Sequence, residues 1–150
     1  MQKSLNNLAI IPARGSSKRI PKKNIKLFNG VPIINYSIDA AIDSQLFSEV
    51  MVSTDSHEVA QLATDKGCSV PFLRSAKNSD DNAIIADVII EVLSAYEKMG
   101  KTYDYVCCIL ATSPFIEIRR LNEAYNKLIN EGFDSVVTFV KYSVPIHLSV

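Results

Sequence analysis

Residues 10–24 read IIPARGSSKRIPKKN. Two isoleucines with the character of a buried strand run straight into a loop carrying Arg14, Lys18, Arg19, Lys22 and Lys23, with Lys26 just beyond. The chain has 16 basic and 16 acidic residues, yet six of the basic ones fall within positions 14–26 and no acid stands among them. A strand that delivers a short cationic loop is the arrangement of an open α/β sheet, where ligands sit beyond the carboxyl ends of the strands.

Outward from that stretch, apolar runs alternate with helical patterns. Residues 8–11 (LAII) predict a short buried strand, 49–53 (EVMVS) a second, 69–72 a weaker third, 105–110 (YVCCIL) a fourth and 135–140 (SVVTFV) a fifth. Near-continuous rather than alternating apolar strands point to a parallel sheet covered on both faces. Between them Ile34, Ile38, Ala41 and Ile42 have helical spacing. So do Ile85, Val88, Ile89, Val92, Leu93 and Tyr96, and then Leu121, Ala124, Tyr125, Leu128 and Ile129. Asp55 with Glu58 three residues on reads as a capping box. The expected fold is α/β, a doubly wound and mostly parallel sheet with helices on both faces.

At 150 residues the chain fits one domain, taken as 1–150, large enough to bury a core. Zero net charge excludes a global attraction to nucleic acid or membrane, so any electrostatic function is local. Cys68, Cys107 and Cys108 have neither CxxC spacing nor an even count, which argues against a zinc site or disulfides, and Cys107 and Cys108, adjacent in an apolar run, suggest small core residues. The opening MQKSLNNLAII lacks the apolar stretch of a secretion signal, and no segment reaches the ~18 apolar residues of a membrane span. The cytoplasm is the expected location. His57 and His147 have no partner at a catalytic spacing and are assigned to structure or surface.

The loop after the first strand lacks GxGxxG and GxxxxGK[ST]. It offers instead Gly15-Ser16-Ser17 flanked by Arg14 and Lys18. Small residues let backbone N–H groups approach a phosphate, and the cations neutralise it. The alternatives are a solvated basic loop or a weak nucleic-acid patch, the latter disfavoured because no aromatic side chain interleaves with the cations before Phe28.

The stretch IIPARGSSKRIPKKNIKLFNGVPIINYSI closely resembles the amino-terminal signature of the cytidylyltransferases that activate nine-carbon acidic sugars, the CMP-sialic acid synthetases and their pseudaminic and legionaminic acid relatives. The similarity continues through VSTDS (52–56), VPFLR (70–74), SDDNA (79–83) and CCILATSPF (107–115), and the last two look most like the pseudaminic acid branch. The resemblance implies transfer of CMP from CTP to the sugar's anomeric hydroxyl, with Mg²⁺ and release of pyrophosphate, in a homodimer. It assigns Arg14, Lys18 and Lys23 to the triphosphate and to stabilising the departing pyrophosphate. Pro12, Ala13, Gly15, Ser16, Ser17 and Asn24 complete the nucleotide site, with Arg74 near the base. Backbone carbonyls near Pro12 and Ala13 can read the cytosine amino group. Asp80 and Asp81 either cap a helix starting near Asn82 or orient the ribose. Ala111, Thr112 and Ser113 face the sugar, Thr112 and Ser113 doubling as a helix cap. Asp55 is expected as a cap first and a ligand second.

Two departures stand against the resemblance. After Ser79-Asp80-Asp81 the family carries small hydroxyl or glycine residues, whereas this chain has Asn82-Ala83-Ile84-Ile85. Family members are also longer, with an arm that contributes to the dimer and carries the aspartates that ligand Mg²⁺. No acid here matches those aspartates, so no metal ligand is named. The expectation is a truncated CMP-sugar acid synthetase. Its alternatives are a non-catalytic nucleotide-binding module and a nucleotidyltransferase for another sugar.

Overall fold

A computed structural model describes residues 6–141. The chain divides into two compact units that meet in sequence at Ile118 and Arg119. The first is built on a three-stranded parallel sheet of β1 (Asn7–Pro12), β4 (Glu49–Ser53) and β5 (Tyr105–Cys108), ordered β4-β1-β5. β1 is central, with Leu8 opposite Glu49 on one side and Val106 on the other. A parallel sheet takes helices on both faces, and with them its central strand is covered on each side, so Leu8, Ala9, Ile10 and Ile11 are all fully buried.

Alternation sends these four residues to opposite sides. Leu8, Ile10 and Met51 pack with Val92 and Tyr96 of α4 (Ile85–Lys98). The other face meets α1 (Ile33–Asp43), which packs on β1 and β4 through a stripe including Ile34, Ile38 and Ala41. Helices thus cover both faces of a parallel sheet, as the pattern of apolar runs implies. Between β1 and α1 a small hairpin joins β2 (Leu27–Phe28) to β3 (Val31–Pro32). Asn29 and Gly30 turn it with φ of 50° and 81°, the two positive values that a two-residue primed turn demands.

Several expectations are corrected. The weak third strand reduces to one parallel bridge, Met51 to Ser69, because Pro71 follows with no N–H to extend the ladder. A four-residue helix, α3 (Ala76–Ser79), precedes α4 and shows no periodicity in so short a span. Cys107 and Cys108 are half-buried, since β5 is the outer strand of the described sheet, while Cys68 is buried. Burial pushes the Cys68 and Cys107 thiols up to about 11.

In the second unit, α5 (Ile118–Glu131) carries its own ion pairs, Arg119 and Arg120 with Glu123 and Lys127 with Glu131. Residues 135–140, expected as a fifth strand, form no ladder among the described residues, and Val137, Phe139 and Val140 are exposed. His147 lies outside the described residues.

Candidate functional site

The cationic loop leaves β1 at Pro12, at the carboxyl edge of the sheet. Its first anchor is backbone: the Ala13 N–H donates to the Ser53 carbonyl at 2.9 Å, extending the β1–β4 pairing by one rung. Its second is a carboxylate. The Gly15 N–H donates to Asp55 Oδ1 at 2.7 Å, and the glycine lies so close to the start of the next helix that a Cβ there would stand 2.6 Å from Ser56 Cβ. Asn24, buried at the centre of a 3₁₀ turn (Lys23–Ile25), donates its side-chain amide to the Arg14 carbonyl at 2.9 Å. The loop is therefore pinned at both ends by contacts that do not use its cationic side chains.

Asp55 is thus an anchor of the loop and not the helix cap. The cap of α2 (His57–Asp65) is Ser56, whose Oγ accepts from the Val59 N–H. Glu58 makes no reciprocal capping contact there. It pairs with Lys22 at 2.7 Å, on the exposed flank of the loop.

Arg14 and Lys18 converge. Arg14 Nη1 lies 2.9 Å from Asp81 Oδ1, and Lys18 Nζ pairs with Asp81 Oδ2. Arg14 also donates to the Asp80 carbonyl at 2.9 Å. The Lys18 hydrogen bond and the neighbouring Arg14 hold the Asp81 carboxyl below the usual carboxylate range. Ser16, Ser17, Lys18, Ser79, Asp80 and Asp81 line a cleft of about 300 Å³. A larger one, about 750 Å³, is lined by residues of α1 and α2 such as Asn35 and Leu62 and contains none of the expected site residues.

Asp80 and Asp81 divide the roles proposed for them jointly. Asp80 Oδ1 accepts the N–H groups of Asn82 and Ala83 at 2.7 and 3.0 Å, closing a turn ahead of α4. Asp81 caps nothing. The helix begins only at Ile85, with no side-chain cap.

Arg74 is buried behind the loop. Its Nε donates to Ser53 Oγ at 3.0 Å, its Nη2 to the Ser53 carbonyl, and its own N–H to the Thr54 carbonyl at 2.8 Å. Burial lowers its pKa, opposed by Asp55 and Glu91 and assisted by Arg14. Ser53, which sequence alone does not mark, is thus what fixes Arg74. Lys23 is exposed, opens the 3₁₀ turn and has no ion pair among the described residues. Ala111 is buried after β5, and Thr112 and Ser113 are half-exposed. The Ser113 carbonyl accepts from the Ile116 N–H in a turn, and α5 starts only at Ile118, so neither hydroxyl residue is placed as its cap.

Among the described residues no three of His, Cys, Asp or Glu come together to hold a metal ion, and the two acids in the cleft are engaged by cations and backbone amides. No helix among the described residues is long and apolar enough to cross a membrane.

Comparison with known proteins bears on this geometry. The family model described as cytidylyltransferase matches residues 8–145. The chain belongs to the cytidylyltransferase family. Its relatives include a pseudaminic acid cytidylyltransferase of Campylobacter jejuni, 39% identical over 95% of this chain and 61% of that one. An N-acylneuraminate cytidylyltransferase A of Danio rerio is 41% identical over 93% of this chain and 31% of its own. Among solved structures, a CMP:2-keto-3-deoxy-manno-octonic acid synthetase complexed with CTP superimposes with a TM-score of 0.70 at 22% identity, covering 85% of this chain and 48% of that one. This cytidylyltransferase chain thus has the fold of that synthetase and spans about 61% of the length of its Campylobacter relative.

Proposed function

We propose that the chain transfers CMP from CTP to the anomeric hydroxyl of a nine-carbon acidic sugar of the pseudaminic, sialic or legionaminic type, releasing pyrophosphate. The observation that carries this reading is the convergence of Arg14 and Lys18 on a single anionic group, beside Ser16 and Ser17, in a cleft past the carboxyl end of β1. Two cations brought to one carboxylate are spaced to take neighbouring oxygens of a phosphate, and the arginine adds directional donors.

In the transfer the sugar hydroxyl oxygen forms a bond to the α-phosphorus, the bond from that phosphorus to the bridging oxygen breaks, and pyrophosphate leaves with the electron pair. The hydroxyl proton goes to solvent. Chemistry of this kind needs positioning and charge stabilisation more than covalent participation. Arg14, Lys18 and Lys23 supply charge, and the Asp55 and Asn24 contacts hold the loop that bears them. Mg²⁺, a cytoplasmic location and a homodimer belong to the same proposal and rest on the family resemblance.

The test is pyrophosphate release from CTP with each of the three acids, with UTP as the competing nucleotide and with and without Mg²⁺. Release with CTP and one acid, absent with UTP, is the expected result. Saturable CTP binding without turnover on any acid supports a nucleotide-binding module instead, and no CTP binding at all overturns both.

A further inference from the structure

We infer that Asp81 is a displaceable stand-in for phosphate, a latch that occupies the cation pair of the nucleotide loop until a polyphosphate takes its place. The inference rests on reading that loop as the CTP site. Asp81 meets Arg14 with one carboxylate oxygen and Lys18 with the other. These are the two cations that line up to receive phosphate, and a carboxylate already on them must leave before a nucleotide can use them. The described contacts of Asp81 are to these two side chains, with no backbone amide holding it. Its side chain is 39% exposed, against 86% for Lys18.

The segment that carries Asp81 is held by few buried contacts. Its inner end is fixed: Ser75 caps α3 by accepting the Asn78 N–H, and Asn78 bonds to Glu91 on α4. Its outer end is a self-contained turn in which Asp80 binds the amides of Asn82 and Ala83. α3 has no buried residue. Opening the latch therefore breaks ion pairs and the Arg14 bond to the Asp80 carbonyl but uncovers no buried α3 side chain. Exposed ion pairs of this kind are weak enough to exchange, whereas a polyphosphate offers the same donors more charge and more oxygens.

The two roles open to Asp81 differ in sign. As a residue that orients ribose, its neutralisation weakens CTP binding and leaves a ribose-free ligand unaffected. As a latch, its neutralisation tightens both. If the open form is about 10–30% of the free protein, Asp81→Asn tightens the apparent affinity about three- to tenfold. The experiment is titration calorimetry of wild type, Asp81→Asn and Asp80→Asn with CTP and with inorganic tripolyphosphate, at low and high salt, with circular dichroism to verify folding. Asp80→Asn removes the same charge one residue away and keeps an oxygen to accept the Asn82 and Ala83 amides. It therefore measures the general effect of one fewer negative charge.

The latch predicts tighter binding of both ligands by Asp81→Asn, beyond any gain from Asp80→Asn, with a gain that shrinks in high salt. If wild type binds CTP but Asp81→Asn binds it no better than Asp80→Asn does, the latch is wrong and the nucleotide site stands. If neither wild type nor Asp81→Asn binds CTP or tripolyphosphate, the latch and the site fall together.

Discussion

Replacing Gly15 by alanine tests whether the loop's position depends on its close approach to α2. The new Cβ would sit 2.6 Å from Ser56 Cβ, 3.2 Å from Ser56 Oγ and 3.7 Å from Asp55 Oδ1. Backbone conformation is not the obstacle, because Gly15 is not among the glycines with positive φ. The obstacle is volume. Non-bonded carbons rest at about 3.5–4.0 Å, so the loop must retreat by roughly 1 Å. Ser56 cannot yield in its place, because its backbone starts a helix and its hydroxyl caps it. A retreat of that size stretches the 2.7 Å bond from the Gly15 N–H to Asp55 towards the limit of hydrogen bonding.

Overpacking of this type costs about 1–3 kcal/mol. For a domain of this size that corresponds to a melting temperature lower by roughly 3–9 °C. Displacement of the loop by an ångström also misplaces Arg14 and Lys18, and CTP affinity is expected to fall about tenfold or more, in line with the sensitivity of bound geometries to such shifts. Thermal unfolding followed by circular dichroism and calorimetric titration with CTP measure the two effects. Ser56→Gly supplies the decisive arm. It deletes the clashing atoms at a cost of a few tenths of a kcal/mol, glycine being an acceptable cap. The double variant should recover most of what Gly15→Ala loses in both measurements. Wild-type melting and CTP affinity for Gly15→Ala, or a double variant no better than the single one, would refute the steric argument.

Arg14→Ala and Lys23→Ala should each weaken CTP binding about three- to thirtyfold at low salt, and less at high salt where screening already weakens the attraction; unchanged affinity in both would remove the loop from the site. Arg74→Lys loses the planar fork that reaches both oxygens of Ser53, so urea unfolding should report a loss of about 1–3 kcal/mol. Glu49 is pushed up by burial, but hydrogen bonds from Lys101, Tyr96 and Tyr103 outweigh that and hold it at about 2 against an ordinary 4.5. A depressed folded-state pKa gives stability that is complete above 4.5 and lost as pH falls towards 2. Wild type should therefore lose about 1–2 kcal/mol between neutral and acid pH that Glu49→Gln does not, once screening of a partly exposed group is allowed for; equal pH dependence of the two proteins in urea titrations would refute it.

What the sequence revealed and what it hid divide along the range of the forces involved. β1, β4 and β5 announce themselves because each contains an unbroken apolar run, and α1 and α4 because their apolar residues recur at helical spacing. These signals are local. The assignment of Asp55 as a cap failed because Asp55 and Ser56 are both competent caps and stand side by side. A contact 40 positions back, from Gly15, decides between them by taking the aspartate. α3 is too short to show a period, and residues 135–140 have strand composition but form no ladder among the described residues, where composition does not supply a pairing neighbour. Asp81 was visible as an acid near a helix, and its partners 63 and 67 positions away were not.

The neutrality of the chain and the basicity of its opening loop are reconciled by folding, and incompletely. Asp81 reaches the loop from the segment after α3, and Glu58 reaches it from α2, so the acids absent from positions 14–26 are returned by elements that follow in the chain. The return is unequal. Lys22 has its own carboxylate on the outer flank, Arg14 and Lys18 must share one, and Lys23 has none among the described residues. Positive charge in excess of its local partners therefore remains on the loop. A loop evolved merely to be soluble would gain nothing from that asymmetry, because evenly paired or fully solvated cations serve equally well. An anion bearing several charges gains from it directly: it finds uncompensated charge at Lys23 and, on Arg14 and Lys18, a shared and partly exposed carboxylate to displace.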